Sequence, residues 1–254
     1  MSVRIAWERR GSGEPLLLVH GLGYARWGWE PVADALAERH EVLLFDNRGI
    51  GESDAPAGPY SVEDLAGDAV SVLDGAGVER AHVLGTSLGG MVALQLALDH
   101  DARVDKLVLA CTTSGGNGAE PMPEQTVRLL AEAATLPPEV VLRRFVENAF
   151  GPDLDAAKVD RIMEHRLATA QPQAAWAAQA AAGASFDVGD RVGEIAAPTL
   201  VLTGDSDNVI DARNSELLSE RIPGARLEVF EGSGHLFFWE QPERFVQIVT
   251  EFLQ

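Results

Sequence analysis

In Gly85-Thr86-Ser87-Leu88-Gly89 a serine stands two positions from a glycine on either side. The segment lies between a short apolar run, His82 to Gly85, and an apolar-periodic stretch, Leu88 to Leu98. A strand that turns at once into a helix holds the residue at the turn in a strained backbone conformation, and flanking side chains would clash there; glycines remove the crowding. The serine hydroxyl then projects at a helix N-terminus, where the Leu88 amide can receive a developing oxyanion. This is the arrangement needed for nucleophilic attack on an acyl group.

Serine is a poor nucleophile at neutral pH, so a histidine and a carboxylate must orient and activate it. Of the six histidines, His235 lies in Gly232-Ser233-Gly234-His235, straight after the last apolar run, Leu227 to Phe230. That places it at the carboxyl edge of a sheet, where ligands bind in open α/β folds. His40, His82, His100 and His165 fall at strand starts, helix ends or in a helical segment and read as structural. The acid is expected between serine and histidine at a strand end. Thr199 to Thr203 runs into Gly204-Asp205-Ser206-Asp207-Asn208, which offers two carboxylates. Asp205 follows the strand closely and suits a turn cap, whereas Asp207 reaches farther along the loop. A second oxyanion donor belongs in the loop after an earlier strand, and His20-Gly21-Leu22-Gly23 supplies the Leu22 N–H beside that of Leu88. The His20 side chain reads as a structural hydrogen-bonding group.

The elements that position these residues follow from the apolar pattern. Leu16 to His20, Val42 to Asp46, His82 to Gly85, Lys106 to Cys111, Thr199 to Thr203 and Leu227 to Phe230 read as strands buried on both faces. Val3 to Arg9 adds an edge strand turned by Gly11-Ser12-Gly13. Helical patterns lie between them at Glu30 to Glu38, Ser61 to Gly75, Leu88 to Leu98, Asn214 to Arg221 and Pro242 to Leu253. The alternation predicts an α/β fold with a mostly parallel central sheet flanked by helices. Residues 114–190 break the rhythm: they carry helical pattern punctuated by Pro121, Pro123, Pro137, Pro138, Pro152 and Pro172 and no strand candidate. They are expected to form a helical lid inserted after the sixth strand, with residues 1–113 and 191–254 forming the core.

The chain has 254 residues, 39 acidic against 20 basic, a formal net charge of -19 and one cysteine, Cys111. Such acidity repels nucleic acid and anionic membrane, so neither is expected as a partner. A single cysteine forms no intrachain disulfide, and the N-terminal residues lack the apolar run of a signal peptide, so a reduced cytoplasm is the expected compartment. The site requires no metal and no cofactor. Oligomeric state leaves no trace in the sequence.

Taken together, His20-Gly21-Leu22-Gly23, Asp46-Asn47-Arg48-Gly49-Ile50-Gly51-Glu52-Ser53-Asp54, the serine motif, Gly204-Asp205-Ser206-Asp207 and Gly234-His235 resemble the α/β-hydrolase fold enzymes. Among these the resemblance is to the small bacterial group of esterases, enol-lactonases and cofactor-free perhydrolases. It implies Ser87 as nucleophile, His235 as base and Asp207 as acid, since the family pattern Gly-x-x-Asp selects the latter, and a structural role for the Arg48 loop. Ser87 stands where dehalogenases and epoxide hydrolases carry aspartate. Thr86 and Leu236 replace the asparagine and tryptophan common in carbon–carbon hydrolases, and Met91 replaces an arginine usual in related lyases. Asp211 stands where many relatives have proline. The implied reaction is hydrolysis of a small-molecule carboxylic ester or lactone through an acyl-serine. Perhydrolysis or carbon–carbon cleavage with the same residues is the alternative, and ligand sensing a further one. Tyr24, Trp27, Met122, Phe145, Trp176, Leu236 and Phe237 are expected to wall an apolar pocket.

Overall fold

The computed structural model describes residues 3–133, 135–169 and 171–254. Met1, Ser2, Ala134 and Ala170, which fall within the expected core and lid, lie outside the described residues. In chain order the elements are β1 (Trp7–Gly11), β2 (Glu14–Val19), α1 (Ala33–Ala37), β3 (His40–Phe45), α2 (Val62–Ala76), β4 (Ala81–Thr86), α3 (Leu88–Asp99) and β5 (Val104–Ala110). They continue with α4 (Glu124–Ala133), α5 (Pro138–Asn148), α6 (Ala156–Ala168), α7 (Gln173–Ser185), β6 (Thr199–Gly204), α8 (Arg213–Arg221), β7 (Arg226–Phe230), α9 (Phe237–Glu240) and α10 (Pro242–Leu253).

The strands form one seven-stranded sheet in the order β1-β3-β2-β4-β5-β6-β7. Among the described residues only the β1–β3 pairing of this sheet is antiparallel. Alternation along the apolar strands splits the core into two layers. Leu17, Val19, Leu43 and Val83 pack with α2 and α3, while Leu16, Leu18, Val42 and Leu84 pack on the opposite face with α1 and α10. Burial on both faces is why these strands read as continuous apolar runs. β3 lies on one side of β2 and β4 on the other, so the chain reverses its direction of winding there, and the loops leaving β2 and β4 diverge. Such a switch point opens a crevice at the carboxyl ends of the strands.

Three expectations move in detail. The edge strand begins at Trp7, because the residues before it bond to the loop after β3: Arg4 N–H donates to Asp54 Oδ2 at 2.9 Å and Ala6 N–H to Ser53 Oγ at 2.9 Å. The helix expected over Glu30 to Glu38 shrinks to α1, because the chain first makes a 3-10 turn over Arg26–Trp29 that runs on to Val32. The helical insertion follows β5, the fifth strand of this sheet and not the sixth, because among the described residues only β1 and β2 precede the His20 loop.

Four helices, α4 to α7, fill the segment between β5 and β6. Its two ends are joined by a bridge between Gly115 and Asp187, and Val188 N–H donates to Ser114 O at 2.9 Å. α7 lies over the carboxyl edge of the sheet: Gln179 Nε2 donates to Arg48 O at 2.6 Å, and Gly183 faces the side chains of Leu88 and Met91. Among the described residues no helix is long and apolar enough to cross a membrane.

Candidate active site

Ser87 sits between β4 and α3 with φ 56° and ψ -123°, a conformation that non-glycine residues rarely adopt. The crowding inferred from sequence is visible in the backbone. A β-carbon on Gly85 would lie 2.2 Å from the Gly89 carbonyl oxygen, and one on Gly89 would lie 2.1 Å from that of Val19. The turn is tied down by Ser87 N–H donating to Ala110 O at 2.9 Å and by Thr112 Oγ1 donating to Ser87 O at 2.8 Å. The Gly21–Leu22 loop packs directly on the serine, a β-carbon at Gly21 falling 2.9 Å from Ser87 Cβ. Asn47 Nδ2 holds that loop by donating to His20 O at 2.9 Å.

Asp207 and His235 meet as a pair. The His235 Nδ1 to Asp207 Oδ2 distance is 2.7 Å, and both residues are buried. The second oxygen, Oδ1, accepts from the N–H groups of Val209 at 2.7 Å and Ile210 at 3.0 Å, which fixes the carboxylate plane. Asp205 is exposed and accepts from Gly232 N–H at 2.9 Å, which ties its loop to the loop after β7 instead of capping its own turn. Asp211 accepts from Arg213 N–H at 2.9 Å at the start of α8, so the missing proline is replaced by a side-chain cap. Burial is the largest influence on His235 and opposes its charge, but the Asp207 carboxylate and then Cys111 outweigh it and raise the pKa well above 6.5.

Cys111, the residue after β5, has φ 42° and is buried. Its thiol lies against both the His235 ring and the Ser87 N–H, and burial raises its pKa. One ligating atom each from Cys111, Asp207 and His235 lie within 4.8 Å of one another, so a metal there would occupy the histidine and the acid themselves. Among the described residues the Ser87 hydroxyl makes no hydrogen bond of 3.5 Å or less to His235. Such bonds often close only around substrate.

His20 is held neutral: its pKa falls to about 3, first because it is buried and further because His235 and Arg166 stand near. Nδ1 accepts from Gly21 N–H at 2.7 Å, which leaves the ring proton on Nε2. Arg48 is bound by Asp68 through Nε at 2.6 Å and a terminal nitrogen at 2.8 Å, a structural clamp between its loop and α2.

The expected pocket walls divide. Tyr24 stacks on His20 with centroids 4.6 Å apart, Trp27 stacks on His165 at 4.8 Å, and Phe145 and Trp176 are half-buried on α5 and α7. Leu236 is buried next to His235. Two assignments fail. Met122 is 49% exposed between two prolines that keep it out of α4, and Phe237 is fully buried, stacked on Phe230 at 4.5 Å as part of the core. Sequence reasoning also passed over Cys111 and Glu240. Cys111 was recoverable, since it sits at a strand's carboxyl end by the rule that located the acid.

A family model described as alpha/beta hydrolase fold matches residues 14–242. The chain belongs to the alpha/beta hydrolase fold family. It is 33% identical over 263 residues, 98% of this chain and 90% of the other, to a 2-hydroxy-6-oxononadienedioate/2-hydroxy-6-oxononatrienedioate hydrolase of Cupriavidus pinatubonensis. Among solved structures, Est816, an N-acyl homoserine lactone degrading enzyme, superposes with TM-score 0.86 at 31% identity, covering 98% of this chain and 97% of that one. The esterase EaEST of Exiguobacterium antarcticum superposes with TM-score 0.89 at 28% identity, covering 99% and 96%. This family member is thus a hydrolase with esterase, lactonase and carbon–carbon hydrolase neighbours.

Proposed function

We propose that this chain is a serine hydrolase that cleaves a carboxylic ester or lactone of a small, largely apolar molecule through an acyl-enzyme. The observation that carries the reading is the buried Asp207–His235 pair at 2.7 Å, set beside a strained serine at a strand-to-helix turn. Ser87 Oγ attacks the carbonyl carbon while His235 Nε2 takes its proton; the carbonyl oxygen, now negative, is held by the N–H groups of Leu22 and Leu88. Collapse breaks the bond to the alkoxy oxygen, which leaves with the proton from His235. Water then enters, gives a proton to His235 and releases the acid, restoring Ser87. Asp207 keeps the imidazole in the required tautomer and stabilises its cationic form. The helices of residues 114–190 serve as a lid over the crevice, which supports an apolar site shielded from water.

Hydrolysis of p-nitrophenyl butyrate tests this directly: Ser87→Ala is expected to lose at least about a thousandfold in kcat. Equal turnover by the variant overturns the reading. The likeness to a dienedioate hydrolase favours carbon–carbon cleavage as a second reading, whereas Thr86 and Leu236 speak for ester chemistry. A vinylogous diketone offered beside the ester separates the two.

A further inference from the structure

Among the described residues, two non-glycine positions carry a positive φ: Ser87 at 56° and Cys111 at 42°. Each follows directly on a strand at the carboxyl edge of the sheet, Ser87 on β4 and Cys111 on β5, and the two strands are neighbours. The turns are tied together. Ser87 N–H donates to Ala110 O, Thr112 Oγ1 donates to Ser87 O, and on the far side Cys111 N–H donates to Leu202 O at 2.9 Å. Residues that a fold holds in such conformations cluster at functional sites. Attack on an acyl group uses Ser87 and gives Cys111 no part.

The Cys111 sulfur is buried against the His235 ring and the Ser87 N–H, and His235 meets Asp207 at 2.7 Å. One ligating atom from each of Cys111, His235 and Asp207 falls within 4.8 Å of the others. In a tetrahedral zinc site, with Zn–S about 2.3 Å and Zn–N or Zn–O about 2.0–2.1 Å, neighbouring ligand atoms lie about 3.3–3.6 Å apart. Small side-chain movements therefore bring the three onto one ion. A thiol sulfur, an imidazole nitrogen and a carboxylate oxygen suit Zn2+ or Cd2+, with water as fourth ligand, whereas Mg2+ and Ca2+ take sets of oxygen ligands. Burial disfavours a lone thiolate at Cys111, and a dication supplies the charge that offsets it.

We propose that Cys111, His235 and Asp207 form a binding site for a thiophilic divalent cation, Zn2+ or its congener Cd2+, which switches the hydrolase off. Binding releases the thiol proton to solvent and occupies a ring nitrogen of His235 and an oxygen of Asp207, so Ser87 loses its base. The cation is an inhibitor, and no step of hydrolysis passes through it. The inhibition rests on the ester or lactone reading; the binding does not. A net charge of -19 draws cations toward the chain and favours their capture.

The chain has one cysteine, so a thiolate-to-metal absorption band reports on Cys111 alone. Titration of the native protein with Cd2+ is expected to raise that band to saturation at one ion per chain, with turnover of p-nitrophenyl butyrate falling in step. EDTA is expected to reverse both effects, and Mg2+ to produce neither. His235→Ala keeps the thiol and is expected to bind Cd2+ at least about 100-fold more weakly, since losing a partner behind a ligand already costs about 10- to 100-fold. Cys111→Ala is expected to show no band, and whatever turnover it retains to lose its sensitivity to Cd2+; if it does not fold, the native and His235→Ala titrations decide. The band needs no turnover, so it stays readable even if the chain does not hydrolyse esters. No band in the native protein, or a band with the same midpoint in His235→Ala, overturns the proposal, as does inhibition that persists in Cys111→Ala.

Discussion

The Leu236 N–H donates to the Ala149 carbonyl at 2.9 Å, so the residue after His235 hangs from the C-terminal end of α5. Glu240 fastens the same loop from its other side, Oε1 accepting from Gly234 N–H at 2.8 Å and Oε2 from Gly151 N–H at 3.1 Å. The proposed base is therefore positioned by the helical insertion as much as by the sheet.

Glu240→Gln sets an amide NH2 against one of those N–H groups and loosens the loop. Small displacements of a reacting group can cost about 100-fold in rate, so kcat for p-nitrophenyl butyrate is expected to fall roughly 10- to 100-fold with a smaller change in KM. A variant with lower thermal stability and unchanged kcat assigns the carboxylate to structure alone.

The raised pKa of His235 sets the sign of the pH profile. A general base must be neutral, so kcat/KM rises with pH through an inflection above 6.5. Asp207→Asn removes the charge that outweighs burial, and moves that inflection to lower pH while reducing kcat by about ten-thousand-fold. An inflection at or below 6.5 in the unaltered chain contradicts the pairing described.

The strained turn at Ser87 predicts a trade of activity for stability. A non-glycine residue in such a conformation costs about 1–3 kcal/mol, and glycine relieves it at an entropic cost of roughly 0.5–1 kcal/mol. Ser87→Gly should thus be inactive yet more stable by about 1 kcal/mol, a rise of roughly 2–4 °C in Tm for a chain of this size. A lower Tm shows that the hydroxyl, not the strain, dominates the turn.

Much of this is legible in the sequence alone. The glycines around Ser87 announced a close strand-to-helix approach because the steric rule is local, and the strands were readable because burial on both faces leaves unbroken apolar runs. What stayed hidden depends on contacts between segments distant in sequence. The fate of Phe237 was decided by Phe230 and Phe245, and the importance of Glu240 by Gly151.

His20 makes stability depend on pH. Its folded pKa of about 3 lies below the ordinary 6.5, so the unfolded chain binds the proton first. The stability this contributes is complete above 6.5 and is lost as pH falls toward 3, at up to about 1.4 kcal/mol per pH unit. Urea unfolding of the native chain and of His20→Asn across that window should show a shallower decline in the variant. Parallel slopes would mean that the ring is not the proton-linked group.

The strand order divides the proposed site between two regimes of motion. β4, which presents Ser87, has three strands on either side, whereas β7, from which the His235 loop departs, is the last strand of the sheet. Amide hydrogens exchange through local openings that are easiest where packing is sparse, at edges and loops, and hardest at the centre. The serine's strand thus exchanges only when the whole protein unfolds, and the histidine's strand through smaller and more frequent excursions. In dilute denaturant the proposed site is expected to come apart from its edge-strand side first, so that turnover fades reversibly while the sheet still stands.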